Sequence, residues 1–258
     1  MSLKGFQKPE ITYELKGKIA FITINRPHRL NALTPECARE LGRVWTRFRD
    51  DESAWVAIIT GAGEKAFSIG YEVSKGALSL SGAIASLAAI PTSYDIWKPI
   101  VAAIKGYCIA GGWWIAQECD IRVASEDAQF GITQVRWGLM PAFSASLSCN
   151  LLPGHALELL LIGNRIGARR AYEMGFVNLV VPRNEVMNAA IEVAERLCAN
   201  APIAVRKTKE LFYRGRMLNH EEAMQLTWQL YAENEKTEDC QEGINAFLER
   251  RKPKYRGV

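Results

Sequence analysis

Short, near-continuous apolar segments separated by helical stretches constrain this chain more than any other feature. Residues 55–60 (WVAIIT), 100–104 (IVAAI) and 119–124 (CDIRVA) are such segments. A strand with one wet face alternates apolar and polar residues, because successive side chains point to opposite faces. These segments scarcely alternate, so both faces must be covered, as in a parallel sheet flanked by helices. Residues 18–25 (KIAFITIN), rich in β-branched side chains, add a strand before them. Thr34 as N-cap and Pro35 at the first helical position open a helix that should run to about Asp51. Residues 81–97 can be helical, interrupted near Pro91.

The second half differs. Apolar residues recur at helical spacing over 155–174 and 183–200, and again over 205–214, 221–235 and 240–251. The expected division is a core at 1–200 and a helical region at 201–258, meeting near Asn200-Ala201-Pro202.

Composition narrows the function classes. A chain of 258 residues, 48% hydrophobic and 23% charged, suits one soluble domain of ordinary size. No run of eighteen apolar residues predicts a membrane span, and residues 1–9 carry no apolar core of a signal peptide. Cys37, Cys108, Cys119, Cys149, Cys198 and Cys240 show no C-x-x-C pair, which favours reduced thiols in a cytoplasmic protein over disulfides or a metal site. The net charge of +4 is modest, although basic residues gather in Arg250-Arg251-Lys252-Pro253-Lys254-Tyr255-Arg256. Without a basic stripe elsewhere, nucleic acid is not expected; a solvated tail or a phosphate-rich small ligand remain.

Three glycine turns carry possible chemistry. Gly61-Ala62-Gly63-Glu64-Lys65-Ala66 fits a loose dinucleotide fingerprint, which needs a helix to follow. A turn, Phe67-Ser68-Ile69-Gly70, follows instead, so no nicotinamide cofactor is expected. Gly111-Gly112, after a buried strand, would open a helix with exposed backbone N–H groups, a place that stabilises an oxyanion. A tight turn demanding small residues is the plainer reading. The Gly70-Tyr71 turn is a second of the same kind, and two such turns suggest paired donors on one carbonyl oxygen. His28, His155 and His220 give no support to a Ser/His/Asp triad.

At this point a family resemblance becomes specific. Asn25-Arg26-Pro27 with Leu30-Asn31-Ala32-Leu33, Lys65-Ala66-Phe67-Ser68-Ile69-Gly70-Tyr71-Glu72, and Lys98-Pro99-Ile100-Val101-Ala102-Ala103-Ile104 with Gly106-Tyr107 occur in order. Cys119-Asp120, Ala128-Gln129-Phe130-Gly131 and the stretch from Glu242 to Pro253 complete the series. Together they resemble the enoyl-CoA hydratase/isomerase (crotonase) superfamily over almost the whole chain. The resemblance implies an α/β fold, a crotonase-like spiral of β-β-α turns with a C-terminal helical trimerisation region. It implies an acyl-CoA substrate, coenzyme A entering only as part of it, a thioester oxygen between the N–H groups of Tyr71 and Gly111, and a homotrimer or hexamer. It also places Arg29, Ile69, Phe247 and Arg250 at the CoA, and involves no metal.

The departures are equally specific. The superfamily's two acid/base glutamates fall by resemblance at Trp114 and Gln134, and neither side chain exchanges a proton near neutral pH. The glycine-rich turn that follows becomes Pro141-Ala142-Phe143-Ser144, so a narrower, more apolar pocket is expected. Glu118 is read as structural, Glu72 as a loop support, and Arg136 and Ser144 as possible pocket residues. The implied function is a lyase or isomerase acting on an unidentified acyl-CoA, with a non-catalytic acyl-CoA-binding subunit as the alternative.

Overall fold

The structure, a computed structural model, describes residues 9–72 and 87–258. The readings for residues 1–8 and for helix over 81–86 lie outside the described residues. Strand β1 (Ile11–Lys16) turns at Gly17 (φ +58°) into β2 (Ile19–Ile24), antiparallel, with Ile11 opposite Ile24. Helix α1 (Pro35–Asp50) follows, capped as expected: the Thr34 hydroxyl accepts from the Cys37 N–H.

From there the chain climbs in turns, each laying one strand in a large sheet and one in a small sheet. The first turn holds β3 (Val56–Gly61) and β4 (Ala66–Ser68). The second holds β5 (Ile100–Ile104), β6 (Tyr107–Ile109) and helix α2 (Gly111–Gln117). The third holds β7 (Ile121–Ser125) and β8 (Gln129–Gly131), then short helices α3 (Ser144–Leu147) and α4 (Pro153–Leu157). The last holds β9 (Arg165–Gly167), α5 (Ala168–Glu173) and β10 (Leu179–Val181). The large sheet runs β1-β2-β3-β5-β7-β10, parallel from β2 onward, and the small one runs β4-β6-β8-β9.

Both faces of the large sheet are covered, which is why its strands are apolar throughout. One face, with Ala57, Ile59, Ala102 and Ile104, joins Leu41, Trp45 and Phe48 of α1 in the main core. The other, with Val56, Ile58, Val101 and Ala103, packs on helix α6 (Val186–Cys198) through Val186, Ala189, Ala190 and Ala194. Each fully buried Val, Leu or Ile among them is worth about 1.5–3 kcal/mol. Trp113 fixes α2 by stacking on Phe176 (3.9 Å between ring centres) with Phe130 edge-on.

The run 155–174 corrects the sequence reading. It is not one helix: α4 ends in a π-turn (Glu158–Ile162), Gly163 (φ +70°) reverses the chain, and β9 precedes α5. β9 pairs antiparallel with β8, Ile166 opposite Phe130, and so covers an edge that would otherwise expose its peptide groups.

Three helices complete the chain: α7 (Pro202–Gly215), α8 (His220–Glu235) and α9 (Glu238–Leu248). Asp120 ties α7 to the sheets, accepting from the Ile100 N–H (2.7 Å), Lys209 Nζ (2.7 Å) and the Tyr213 hydroxyl (3.3 Å). Burial and the adjacent Asp120 push the Tyr213 phenol above its ordinary range. Helical spacing in this region predicts an exposed apolar stripe of Leu211, Phe212, Met217, Leu218, Met224, Leu226 and Leu230; of these, Phe212, Met217, Leu218 and Met224 are exposed and Leu211 is half-buried. Leu226 and Leu230 are buried within the chain itself, a correction; Trp228, Tyr231 and Phe247 are exposed in addition. No helix among the described residues is long and apolar enough to cross a membrane.

Candidate active site

The site is built where the Gly70 turn meets the start of α2. After β4 the chain bends at Gly70 (φ +87°), a conformation that L side chains rarely adopt. Leu33 N–H donates to Gly70 O (2.8 Å) and Glu72 N–H donates to Leu33 O (3.0 Å). Both bonds flank Tyr71, and the alternation of peptide directions in extended backbone turns the Tyr71 N–H away from Leu33. On the other side stands Gly111: a Cβ on Gly70 would lie 2.5 Å from its nitrogen. A Cβ on Gly111 would lie 2.8 Å from the Tyr71 ring, and one on Gly112 would collide with the Ser68 carbonyl. Close approach therefore dictates all three glycines.

Helix α2 supplies the polarity. Its first N–H groups have no partner within the helix, and its dipole is positive there. Ala110, the residue before it, sits at φ 53°, ψ −113°, strain of about 1–3 kcal/mol. It is held there by Ala110 N–H to Gly131 O (2.9 Å) and Trp114 N–H to Ala110 O (3.1 Å).

Behind the Gly70 turn lies a buried polar bracket. Asn31, fully buried with φ 56°, accepts from the Arg26 N–H (3.0 Å) and donates through Nδ2 to Ala62 O (2.9 Å) and Ala66 O (2.7 Å). The Ser68 hydroxyl donates to Asn31 O (2.7 Å) and accepts from the Gly70 N–H (3.1 Å). Arg26, also buried, pairs with Glu10 (2.8 Å) and Glu72 (3.1 Å). Glu72 thus supports the loop, as expected. The same contacts explain why no helix follows Gly61: residues 62–66 are held against Asn31 and lead into β4.

One turn along α2 the chemistry changes. Trp114 is buried and packs against Phe143 (5.3 Å between ring centres, 31° between planes). Gln134 opens a 3-10 turn (Gln134–Trp137), and its Oε1 is buried with no hydrogen-bond partner among the described residues. Trp114 also lines a cavity of about 610 Å³ together with Ile90, Trp97, Glu118, Ser146 and Tyr213. That volume is in the range of small-molecule sites. Of the two possible pocket residues, Arg136 faces a different depression, beside Trp137 and Arg165, and the Ser144 hydroxyl is turned to Pro141 O (2.7 Å). Ser146 takes the place expected of Ser144.

The remaining expected contacts are divided between two regions. Arg29, exposed and without a side-chain partner among the described residues, precedes the Asn31 bracket, and half-buried Ile69 lies within the Gly70 turn. Phe247 (82% exposed) and Arg250 (φ +54°) lie at the far end of α9. The tail after them folds back to the start of α9, where Asp239 accepts from the Arg256 and Gly257 N–H groups (2.7 Å each) and Gly257 approaches Trp55. Trp55 precedes β3, at the opposite end of the strands from the Gly70 turn. Sequence reasoning missed Phe143 as a partner of Trp114, and missed Ser146; they lie 29 and 32 residues from Trp114, a separation that carries no local signal.

The profile of the enoyl-CoA hydratase/isomerase family matches residues 14–258. The chain belongs to that family. It is 35% identical to the (E)-benzylidenesuccinyl-CoA hydratase of Thauera aromatica, over 96% of this chain and 99% of the relative. It is 34% identical to the short-chain-enoyl-CoA hydratase of Clostridium acetobutylicum, over 94% and 95%. Among solved structures, an enoyl-CoA hydratase from Bacillus anthracis superposes with a TM-score of 0.91 at 32% identity, covering 97% of this chain and all of that one. The enoyl-CoA hydratase/isomerase fold accounts for the two-sheet spiral and for the convergence of Gly70 and Gly111.

Proposed function

We propose that this protein binds an acyl-CoA thioester and stabilises negative charge on the thioester oxygen with the N–H groups of Tyr71 and Gly111. The observation that supports this is the contact between the Gly70-Tyr71 turn and the N-terminal end of α2, which brings the two backbones close together. An enolate formed beside the thioester gains from fixed donors and from the helix dipole, and one such donor is worth about 10²–10³ in rate. Arg29, with Arg250 and Phe247 of a neighbouring subunit, receives the CoA phosphates and adenine; the exposed Phe212, Met217 and Trp228 form part of a trimer or hexamer interface. Light scattering that returned a monomer mass at micromolar concentration would remove that assembly.

The reaction is not the ordinary hydration of crotonyl-CoA, because Trp114 and Gln134 stand where that chemistry needs carboxylates. The unpartnered Gln134 Oε1 instead orients a water or a substrate hydroxyl. The same two residues favour a second reading, a non-catalytic acyl-CoA-binding subunit. Titration calorimetry is expected to give micromolar affinity for crotonyl-CoA and weaker affinity for free CoA. No heat and no thermal shift at millimolar ligand would overturn the thioester reading. Turnover of any ester in a panel of enoyl-, dienoyl-, β-keto- and malonyl-type CoA thioesters would exclude the non-catalytic one.

A further inference from the structure

Glu118 stands one helical turn beyond Trp114 on the same face of α2, and both line the same cavity. Its carboxylate is oriented: Oε1 accepts from Gln117 Nε2 (3.2 Å) and from the Ser146 hydroxyl (3.4 Å), whose single proton is shared with the Phe143 carbonyl (3.1 Å). Gln117 is itself fixed, donating to the Ser146 hydroxyl (2.8 Å) and accepting from Trp113 Nε1 (3.2 Å). Oε2 has no hydrogen-bond partner among the described residues. Nor does any described cation pair with this carboxylate. Lys209 is committed to Asp120 and to Lys98 O, Arg214 pairs with Glu210, and exposed Arg216 stacks over the Tyr213 ring (4.8 Å). The cavity wall combines apolar Ile90, Pro91, Ile96 and Trp97 with polar Thr92, Ser93 and Asp95.

We infer that Glu118, oriented by Ser146, accepts a hydrogen bond from a hydroxyl group carried at the far end of the acyl chain, and so selects hydroxylated acyl-CoA thioesters. The inference rests on the thioester reading above. With the thioester oxygen at Gly111, the acyl α and β carbons lie beside Trp114. Four further residues of helix advance about 6 Å, close to the reach from Cβ through a six-membered ring to a para oxygen. Trp114, which lines the cavity with Trp97, gives such a ring an aromatic surface. A distal carboxylate would meet like charge at Glu118 and Asp95 and is disfavoured, whereas a hydroxyl donates to Oε2 without bringing in a second charge.

Two saturated esters, 3-(4-hydroxyphenyl)propionyl-CoA and 3-phenylpropionyl-CoA, test this by titration calorimetry on the full chain. They differ in one hydroxyl, and neither can be hydrated. The wild type should prefer the hydroxylated ester roughly ten- to a hundredfold, the range of a hydrogen bond to a charged group. Glu118→Gln should shrink the preference to a few fold, and Glu118→Leu should abolish it with the phenylpropionyl affinity kept. Equal affinity of the wild type for both esters, or a full preference surviving in Glu118→Gln, overturns the inference and leaves the thioester reading standing. Failure of both esters and of crotonyl-CoA to bind overturns the two together.

Discussion

Two successive turns of helix α2 are built on opposite principles. At its start, Gly111 and the Gly70-Tyr71 turn meet through backbone, with a buried bracket of Arg26, Asn31 and Ser68 behind them. One turn further on, Trp114 meets Phe143 through side chains alone. Backbone donors are fixed by the fold, and any substitution that moves them also strains the bracket. Side chains projecting into a cavity can change without disturbing the sheets. On the proposed function, charge stabilisation is therefore tied to the architecture, and proton transfer is not.

The largest effect should come from putting carboxylates back on the variable side. Wild-type protein is expected to hydrate crotonyl-CoA barely above background, followed by loss of the enoyl thioester absorbance. Gln134→Glu with Trp114→Glu should raise that rate, each positioned acid/base being worth about 10²–10⁴. Gln134→Glu is nearly isosteric and should leave the melting temperature almost unchanged. Trp114→Glu removes a buried ring packed against Phe143 and should cost about 3–5 kcal/mol. A wild-type turnover of about 10 per second or faster would break the comparison, because the variable side would then be doing acid/base chemistry after all.

Next in size is a lesion on the backbone side. Gly70→Ala places a methyl 2.5 Å from the Gly111 nitrogen at a φ of +87°. Calorimetry should show the affinity for acyl-CoA falling about tenfold, toward that for free CoA, while free CoA binding persists. An unchanged preference for the thioester would separate the Gly70 turn from the carbonyl oxygen.

The smallest effect is a control away from both turns. Lys98, buried beside α1, donates to Phe48 O (2.8 Å) and Asp51 O (2.6 Å), and burial lowers its amine to about 8. Between pH 8 and about 10.4 the unfolded chain holds this proton and the folded one has lost it, so this group makes stability rise with pH. Buried Cys37, pushed up to about 12, with Cys108 and Cys119 raised likewise, acts in the reverse direction. The informative quantity is therefore the difference in unfolding free energy between wild type and Lys98→Met. That difference should widen in favour of the wild type across this window, with thioester preference unchanged in the variant. A flat difference would refute the titration.

Much of the spiral could be read from residue order, element by element. The strand at 18–25, the Thr34-capped helix and the apolar segments at 55–60 and 100–104 all lie where periodicity and capping place them. The strands β4, β6, β8 and β9, three residues each, could not be found that way, because three residues carry no period. β9 was also concealed within a helix-spaced run, since its apolar residue, Ile166, serves the β8 edge rather than a helix face. Leu226 and Leu230 were misplaced for a related reason. Helical spacing shows that an apolar stripe exists, and only packing shows whether this chain or another covers it.

The sequence by itself determined the all-apolar strands, the glycines at 70, 111 and 112, and the absence of a carboxylate at 114 and 134. Each is a property of residue type, whose conformational freedom or proton chemistry travels with the residue wherever it lies. Only the tertiary structure decided that Gly70 and Gly111 touch across 41 residues of chain, that Phe143 closes on Trp114, and that Glu118 and Ser146 share one cavity. Those contacts join residues on different turns of the spiral, and their distances depend on how two sheets stack rather than on any local preference of the chain.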